Sequence, residues 1–267
     1  MKVGIIGTGN MGGAIARGVG KSADFALAMF DPNTASAKAI QDEVGGQVTA
    51  DAAKLVTVSD IIVGAVKPHL MGQVLGEIAA DLDGKIVVSI AAGRPLKTLQ
   101  QDVQNAKCQL FRAMPNVNAI IGKAMTGVAG APGTSQSALN NVVAMFETCG
   151  HVEVIPEEHF AVYAAIAGCS PAWVFTMVDS LARAAVAHGI PKAQAVRIAA
   201  AAVGGSGDLA RYEADQGIIP AALVDRVTSP GGTTVAGLLA AEDAGFSPAI
   251  RAAVDAAVDR DNELAEG

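Results

Sequence analysis

The sequence is poor in aromatic residues, in cysteine and in positive charge. Aromatic residues make up 4 % of the chain, and 26 acidic against 19 basic side chains give a formal net charge of −7. Because this charge repels polyanions on average, we expect no nucleic acid partner. Cys108, Cys149 and Cys169 stand far apart and form neither a C-x-x-C pair nor a cluster of zinc spacing, so no metal site is expected. Scattered free thiols suit a reducing cytoplasm, where we expect the protein to work.

Long hydrophobic runs are also missing. The alanine-rich segment 191–205 comes closest to a membrane span, but Lys192, Gln194 and Arg197 interrupt it. We therefore expect no membrane span and no membrane partner. The first residues lead directly into a strand pattern, without the apolar stretch and cleavage site of a signal peptide.

The first half of the chain alternates between the two periods of secondary structure. Runs that are apolar on both faces are predicted as strands at 3–6, 25–30, 60–66, 85–90, 109–114 and 152–155. Between them, apolar residues recur at helical spacing, as in the helix predicted over Thr34–Val44. Buried strands alternating with helices indicate an α/β fold, a Rossmann-type doubly wound parallel sheet, over residues 1–155.

From Pro156 onward no strand is predicted, and residues 156–267 are expected to form an all-α domain. A helix should begin at Ser170-Pro171 and end at His188-Gly189. Its residues Val174, Phe175 and Val178 lie off the main apolar stripe, so the helix must be surrounded. We therefore expect this domain to pack across a homodimer.

Three glycines near the start of the chain predict a dinucleotide-binding loop. Gly7-x-Gly9-x-x-Gly12 follows a predicted strand and opens a predicted helix. Gly7 allows a tight turn, Gly9 lets the backbone approach a pyrophosphate, and Gly12 lets helix and strand pack closely. The helix N-terminus offers unpaired N–H groups and partial positive charge to the phosphates.

Asp31 ends the second predicted strand and bears on the choice between NADH and NADPH. A carboxylate there would bind the ribose hydroxyls of NAD. It would also repel the 2′-phosphate of NADP, since two unit charges about 4 Å apart cost roughly 4 kcal/mol at an effective dielectric near 20. Polar residues that could hold a phosphate follow it, namely Asn33, Thr34, Ser36 and Lys38. The pattern thus favours NADH and leaves NADPH open.

Several motifs resemble those of the pyrroline-5-carboxylate reductase family, and the resemblance covers essentially the whole chain. In chain order they are Ala65-Val66-Lys67-Pro68-His69, Ser89-Ile90-Ala91-Ala92-Gly93, Met114-Pro115-Asn116, Gly168-Cys169-Ser170-Pro171-Ala172-Trp173 and Thr228-Ser229-Pro230-Gly231-Gly232-Thr233-Thr234. The resemblance implies hydride transfer from NAD(P)H to the C=N bond of a cyclic imino acid, giving L-proline. It also implies a Rossmann domain and a helical dimerisation domain, which is often assembled into rings of dimers.

The resemblance also implies roles for individual residues. The cofactor would lie against Ile6, Gly7, Thr8, Gly9, Asn10, Met11, Ala65, Val66, Lys67, Pro68, Ala91 and Ala92. Asp31 is added to this set by its position after the second predicted strand. The substrate would be held by Ser229, Gly231, Gly232, Thr233 and Thr234, with Thr234 near the ring nitrogen as the catalytic residue. Independently of the resemblance, Gly231-Gly232 at a helix start can form an anion cradle for a carboxylate. Lys67, after a strand, can pair with a phosphate or a carboxylate, or can simply be solvated.

The sequence departs from the family pattern on the substrate side. Where the family usually has Ser-Gly-Ser-Gly-Pro-Ala-Tyr, this chain has Ala167-Gly168-Cys169-Ser170-Pro171-Ala172-Trp173, and Gly217 lies in a segment that lacks the usual acidic and basic residues. These changes leave open a reductase of another cyclic imine. A hydroxyacid dehydrogenase would need a basic residue such as Lys192 to take the alcohol proton. A non-catalytic, nucleotide-binding regulatory protein is the third alternative.

Overall fold

The computed structural model describes residues 1–104 and 106–266. It forms two compact units, of which the first contains Met1–Cys169 and the residues from Ala257 onward, and the second contains Ser170–Ala256. The strands are β1 (Lys2–Ile6), β2 (Ala26–Phe30), β3 (Gln47–Val48), β4 (Ile61–Gly64), β5 (Ile86–Ser89), β6 (Gln109–Met114), β7 (Ala124–Gly130) and β8 (Gly150–Val154). The helices are α1 (Asn10–Lys21), α2 (Thr34–Val44), α3 (Ala52–Thr57), α4 (Pro68–Ile78), α5 (Leu96–Asp102), α6 (Gln136–Glu147), α7 (Phe160–Tyr163), α8 (Ser170–Ala187), α9 (Lys192–Ala214), α10 (Pro220–Val227), α11 (Thr233–Asp243) and α12 (Phe246–Glu266).

The strands of the first unit form a single twisted sheet in the order β3-β2-β1-β4-β5-β6-β7-β8. All neighbouring strands are parallel except β6 and β7, which are antiparallel. The doubly wound α/β fold is thus confirmed, whereas the prediction of an entirely parallel sheet is wrong at β7. This strand carries two glycines and two alanines, so it lacks the apolar run by which the other strands were predicted.

Packed helices cover both faces of the sheet, so a ligand can reach it only at the ends of its strands. One apolar cluster gathers Ile15 of α1, Val63 of β4 and Phe146 of α6, all fully buried. The other gathers residues such as Leu75 of α4 and Leu110 of β6 on the opposite face. A sheet covered on both faces binds ligands in the crevice at the carboxyl ends of its strands.

The predicted domain boundary at 155/156 does not coincide with the division between the two compact units. Phe160 is 1 % exposed and belongs to the apolar core of the first unit. The Arg112 guanidinium lies 4.4 Å from the centroid of its ring, a cation–π contact inside that unit. The start of the predicted helical domain, 156–169, therefore belongs to the unit that contains the sheet, as does α12 from Ala257 to residue 263.

The second unit is helical, as predicted. Its main pair, α8 and α9, meets through small side chains, and Ala182, Ala195 and Ala199 are buried there. Large apolar side chains of α8 remain exposed, with Phe175 at 59 % and Leu181 at 46 %. Among the described residues, one helical stretch, Glu157–Ala187, has the length and apolar composition of a membrane span, although no span was predicted. Such an apolar face is also what a helix buried between two subunits presents.

Candidate active site

A cleft of about 1000 Å³ opens at the carboxyl ends of the central strands of the first unit. Its lining residues come from the ends of β1, β2, β4, β5 and β6 and from one face of α4. They are Ile6, Gly7, Gly9, Asn10, Met11, Phe30, Asp31, Pro32, Ala52, Ala65, Val66, Lys67, Pro68, Leu70, Gln73, Val74, Glu77, Ile90, Ala91, Ala92, Met114 and Pro115. The structure thus brings together, around one cleft, every residue predicted to contact the cofactor except Thr8.

The glycine loop has the geometry that a dinucleotide requires. Gly7 has φ +95°, a left-handed conformation that favours glycine. A Cβ atom added to Gly9 would meet nothing within 4 Å, so the backbone there is open to the cleft. Gly9 caps α1 without a side-chain hydrogen bond, and the first turn of α1 has no acidic residue. The positive end of the helix is therefore left for a phosphate group.

Thr8 is the exception, because it is turned into the protein. Its side chain and backbone are 4 % exposed. The Thr8 amide donates to Asp31 Oδ2 at 2.6 Å and the Thr8 hydroxyl donates to the same oxygen at 3.0 Å. Thr8 consequently holds the carboxylate that lines the cleft, and its contact with the cofactor stays a prediction.

Ser36 and Asn33 complete the network around Asp31. The Ser36 hydroxyl donates to the Thr8 carbonyl oxygen at 2.9 Å, and its oxygen lies 3.0 Å from the Thr8 hydroxyl oxygen. The Asn33 backbone N–H donates to Asp31 Oδ1 at 2.8 Å. Of the residues considered as phosphate ligands, Ser36 therefore bonds to the glycine loop through its side chain, whereas Asn33 bonds to Asp31 only through its backbone.

The charge along the cleft is predominantly negative. Of the described lining residues, Lys67 alone is basic, whereas Asp31 and Glu77 are acidic. Lys67 is exposed at the N-cap of α4, and Pro68 occupies the first turn of that helix. The Lys67 ammonium is thus the one positive side chain positioned to meet an anionic ligand here.

Helix α4 forms one wall of the cleft, which was not predicted from the sequence. Leu70, Gln73, Val74 and Glu77 recur at helical spacing and line the cleft along one face. That spacing was available in the sequence as a stripe on the predicted helix. Met114 and Pro115 were noted only as part of a motif, and the structure places them at the end of β6, in the cleft.

The predicted substrate residues lie together in the second unit, at the break between α10 and α11. Gly231 has φ +66°, and the Gly232 amide donates to the Ser229 carbonyl oxygen at 3.0 Å. A Cβ on Gly232 would lie 2.4 Å from Ser229 Oγ, so the two residues are closely packed, and the positive φ of Gly231 favours glycine at that position. Thr233 and Thr234 open α11, and both are exposed with Ser229 and Gly231. The turn therefore presents hydroxyls and a helix N-terminus to an anion.

Two ion pairs of the second unit bear on the alternative functions, a hydroxyacid dehydrogenase and a reductase of another cyclic imine. Lys192, the candidate base of a hydroxyacid dehydrogenase, binds Asp179 at the surface. Its hydrogen bond, together with that of Arg183, lowers the pKa of Asp179. Glu213, near the segment that lacks the usual acidic residue, pairs with Arg226 at 2.8 Å. An exposed, paired lysine is not the buried base that alcohol oxidation needs.

Two family models match this chain. The model described as pyrroline-5-carboxylate reductase dimerisation matches residues 157–264, and one described as NADP oxidoreductase coenzyme F420-dependent matches residues 2–93. The pyrroline-5-carboxylate reductase of Escherichia coli is 35 % identical over 99 % of this chain and 98 % of its own length. That of Methanosarcina acetivorans is 33 % identical over 98 % of this chain and 97 % of its own. The chain belongs to the pyrroline-5-carboxylate reductase family.

Solved structures of the family agree with this assignment. A pyrroline-5-carboxylate reductase of Coxiella burnetii superposes with a TM-score of 0.90 at 25 % identity, covering 98 % of this chain and 97 % of that one. A pyrroline carboxylate reductase of Plasmodium falciparum with NADP bound superposes with a TM-score of 0.85 at 26 % identity, covering 99 % of this chain and 98 % of that one. This member of the pyrroline-5-carboxylate reductase family is accordingly an oxidoreductase with an NAD(P)-binding Rossmann unit and a dimerisation domain.

Proposed function

We propose that this member of the pyrroline-5-carboxylate reductase family reduces the C=N bond of pyrroline-5-carboxylate to L-proline, with NADH as the preferred hydride donor. The observation that carries the proposal is the single cleft that unites the glycine loop, Asp31 and the 65–68 segment. The full-length match to reductases of this name supports the substrate.

The residues of the cleft fit a dinucleotide. Gly9 leaves open backbone beside the uncompensated N-terminus of α1, where a pyrophosphate can be bound. Asp31 lies at the end of β2, on one side of that loop, and its carboxylate can accept hydrogen bonds from ribose hydroxyls. Ala91, Ala92 and Met114 lie on the other side, at the ends of β5 and β6, where the nicotinamide would fall. The bound dinucleotide supplies the hydride, which is the redox part of the chemistry.

The same cleft supports NADH over NADPH. The Asp31 carboxylate is fixed by Thr8 and Asn33, so it cannot easily withdraw from a 2′-phosphate. Ser36 bonds to Thr8 instead of pointing freely to a ligand. Lys38 is exposed and is not among the lining residues of the cleft. Among the residues that line the cleft at this end, the 2′-phosphate of NADPH would therefore meet the Asp31 carboxylate and no basic side chain.

The substrate turn supplies groups for a cyclic imino acid. In this proposal the Ser229 hydroxyl and the backbone amides of Gly231 and Thr233 hold the substrate carboxylate at the start of α11. Gly232, whose amide donates to the Ser229 carbonyl oxygen, lets the turn bring these groups to the substrate. The Thr234 hydroxyl lies near the ring nitrogen and keeps a proton there, which makes the imine carbon a better hydride acceptor. These groups orient the substrate and balance its charge, and the reaction needs no nucleophile or metal from the protein.

The assembly follows from the exposed face of α8. A homodimer buries Phe175 and Leu181, which the isolated chain exposes. We propose further that such dimers associate into a ring, as the resemblance implies, and that the enzyme works in the cytoplasm.

One initial-rate series tests the proposal. Purified protein is assayed with pyrroline-5-carboxylate and with NADH or NADPH over a range of concentrations, and proline is quantified. The proposal requires proline formation at a kcat/KM of an ordinary biosynthetic enzyme, with the larger value for NADH. Turnover of other cyclic imines alone would show that the changes at Cys169, Trp173 and Gly217 have altered the substrate. Tight NADH binding without any turnover would instead favour a regulatory protein.

Replacing Thr234 tests the role given to its hydroxyl. Thr234→Val keeps the shape of the side chain but removes the group near the ring nitrogen, so kcat should fall on the order of 100-fold with little change in NADH affinity. Thr57→Val is the matched control, because that hydroxyl bonds the Lys54 carbonyl oxygen at the surface of α3. Equal rates for Thr234→Val and wild type would remove Thr234 from the mechanism.

A further inference from the structure

We infer that Asn116 is a positioning residue for hydride transfer, because it ties the nicotinamide end of the cleft to a π-helical turn. The turn spans Ala164–Cys169, between α7 and α8. The inference rests on the proposed function for the identity of the ligand in the cleft. It assigns a role to the last residue of the Met114-Pro115-Asn116 motif, which the proposed chemistry leaves unused.

Asn116 follows directly on the two residues of β6 and its end that line the cleft, Met114 and Pro115. The residue is 7 % exposed, so its amide group must find partners inside the protein. Asn116 Oδ1 accepts from the amides of Asn118 at 3.2 Å and Met125 at 3.3 Å. The side chain is thereby fixed to the following turn and to β7.

The other half of the Asn116 side chain reaches the π-helical turn. Asn116 Nδ2 donates to the Ala167 carbonyl oxygen at 2.8 Å, in a buried position. In an α-helix this oxygen would accept from the amide four residues later. That residue is Pro171, which has no N–H and whose ring crowds the same carbonyl. A π-helical turn relieves such crowding, and Asn116 supplies the missing donor.

A second hydrogen bond holds the same wall of the cleft. The Tyr163 hydroxyl donates to the Met114 carbonyl oxygen at 3.1 Å. The Tyr163 ring lies against β7, where a Cβ on Gly127 would be 2.8 Å from Tyr163 Cε1. Met114 and Asn116 are therefore both held by the segment that leads into α8.

These bonds act on the reacting end of the cofactor. Strand order puts Asp31, directly after β2, and Met114, at the end of β6, on opposite sides of the glycine loop. If Asp31 binds the ribose next to the adenine, the wall at Met114 and Pro115 meets the nicotinamide. A small shift of this wall changes the distance over which hydride is transferred, so its bracing should affect kcat more than NADH affinity.

A double-mutant cycle with Pro171 tests the inference. Asn116→Asp keeps the Oδ1 acceptor and removes the donor to Ala167, whereas Pro171→Ala returns an N–H four residues after that carbonyl. We expect Asn116→Asp to lower kcat on the order of tenfold, and to change the Kd of NADH, titrated without substrate, by much less. In the Pro171→Ala background the kcat factor should shrink toward one. Asn140→Asp, at an exposed amide of α6, controls for the added charge.

The cycle separates this inference from the proposed function. The inference is overturned if Asn116→Asp lowers kcat by the same factor in the wild-type and the Pro171→Ala proteins. It is also overturned if Asn116→Asp folds and has the kcat of the wild type. If Asn116→Asp does not fold, Tyr163→Phe takes its place, since it removes only the hydroxyl on the Met114 carbonyl. A lower kcat with an unchanged Kd then supports the bracing, and an unchanged kcat refutes it. Absence of turnover in the wild type would instead refute the proposed function.

Discussion

A Cβ atom placed on Gly12 would lie 2.0 Å from the carbonyl oxygen of Gly7. The first helix therefore contacts the loop that precedes it, and Gly12 makes this contact possible. A Cβ on Gly12 would also lie 2.8 Å from the Cβ of Ala65, at the next strand end. By contrast, a Cβ on Gly9 would meet nothing, although both glycines belong to one motif. The two positions thus serve folding and binding separately.

This difference predicts opposite effects of the same substitution. Gly12→Ala should destabilise the protein by at least about 1–3 kcal/mol, because the backbone of α1 must move away from the Gly7 carbonyl oxygen and from Ala65. Gly9→Ala should leave the melting temperature nearly unchanged but weaken NADH binding on the order of tenfold or more, since its Cβ enters the space of the pyrophosphate. Thermal melting and calorimetric titration with NADH measure both quantities. A folded Gly9→Ala protein with full NADH affinity would mean that the cofactor does not approach this backbone.

Asp31 predicts the cofactor preference. In Asp31→Ser the carboxylate that faces a 2′-phosphate is lost, so the ratio of kcat/KM for NADPH to that for NADH should rise on the order of tenfold. Thr8 loses a partner in this variant, so some loss of stability is also expected. Asp24→Ser, which removes the same charge from the loop before β2, provides the control. A ratio that stays constant in Asp31→Ser would show that another feature sets the preference.

Tyr163 predicts a loss of stability at alkaline pH. Burial raises the pKa of its phenol in the folded protein above the ordinary value of about 10. The neutral phenol is thus favoured by folding, and its contribution is complete below pH 10. It declines as the pH rises from there toward the folded-state pKa, because the unfolded chain ionises first.

The comparison with Tyr163→Phe isolates this contribution. The variant should be less stable at neutral pH, since the hydrogen bond to Met114 is lost, but its stability should fall less steeply between about pH 10 and 12. Denaturant unfolding at several pH values gives the two slopes, and Cys149, whose pKa burial also raises, is common to both proteins. Parallel slopes would contradict the assignment of the alkaline loss to Tyr163.

The apolar face of α8 predicts how the dimer can be broken. Phe175→Glu or Leu181→Glu places a charge in a buried interface and should weaken association by about 2–4 kcal/mol, roughly 30- to 1000-fold. Size-exclusion chromatography with light scattering reports the mass. Gln136→Glu adds the same charge to the exposed first turn of α6 in the other unit and should leave the mass unchanged. Dimers of unaltered stability in both α8 variants would place the interface elsewhere.

Local patterns were enough to predict much of the fold. The helix over Thr34–Val44 and the strand over Gln109–Met114 have the predicted bounds, because each has a clear period and a turn at both ends. β7 was missed because its glycines serve a long-range contact, of which the Tyr163 ring on Gly127 is the example. The helix α6 was also missed, although Ser135 caps it through the Ala138 amide and a buried stripe follows.

In the site, too, local motifs predicted some features, whereas contacts between distant residues could not be predicted. Motif spacing was sufficient to select the residues of the glycine loop and the strand ends, which one cleft brings together. It did not indicate that Thr8 holds Asp31, because Asp31 and Ser36 come later in the chain, after β2 and in α2. The bond from Asn116 to Ala167 joins residues far apart in sequence and could not be read from either segment.

The exposed apolar face of α8, which includes Phe175 and Leu181, makes this protein sensitive to dilution. Association removes that surface from water, so the folded state gains free energy from every increase in subunit concentration. The melting temperature should therefore rise with protein concentration, and catalytic activity per subunit should decay slowly after dilution below the dissociation constant of the dimer. For a chain freshly made in the cell, meeting a second copy early would also limit the time during which this surface can attract other proteins.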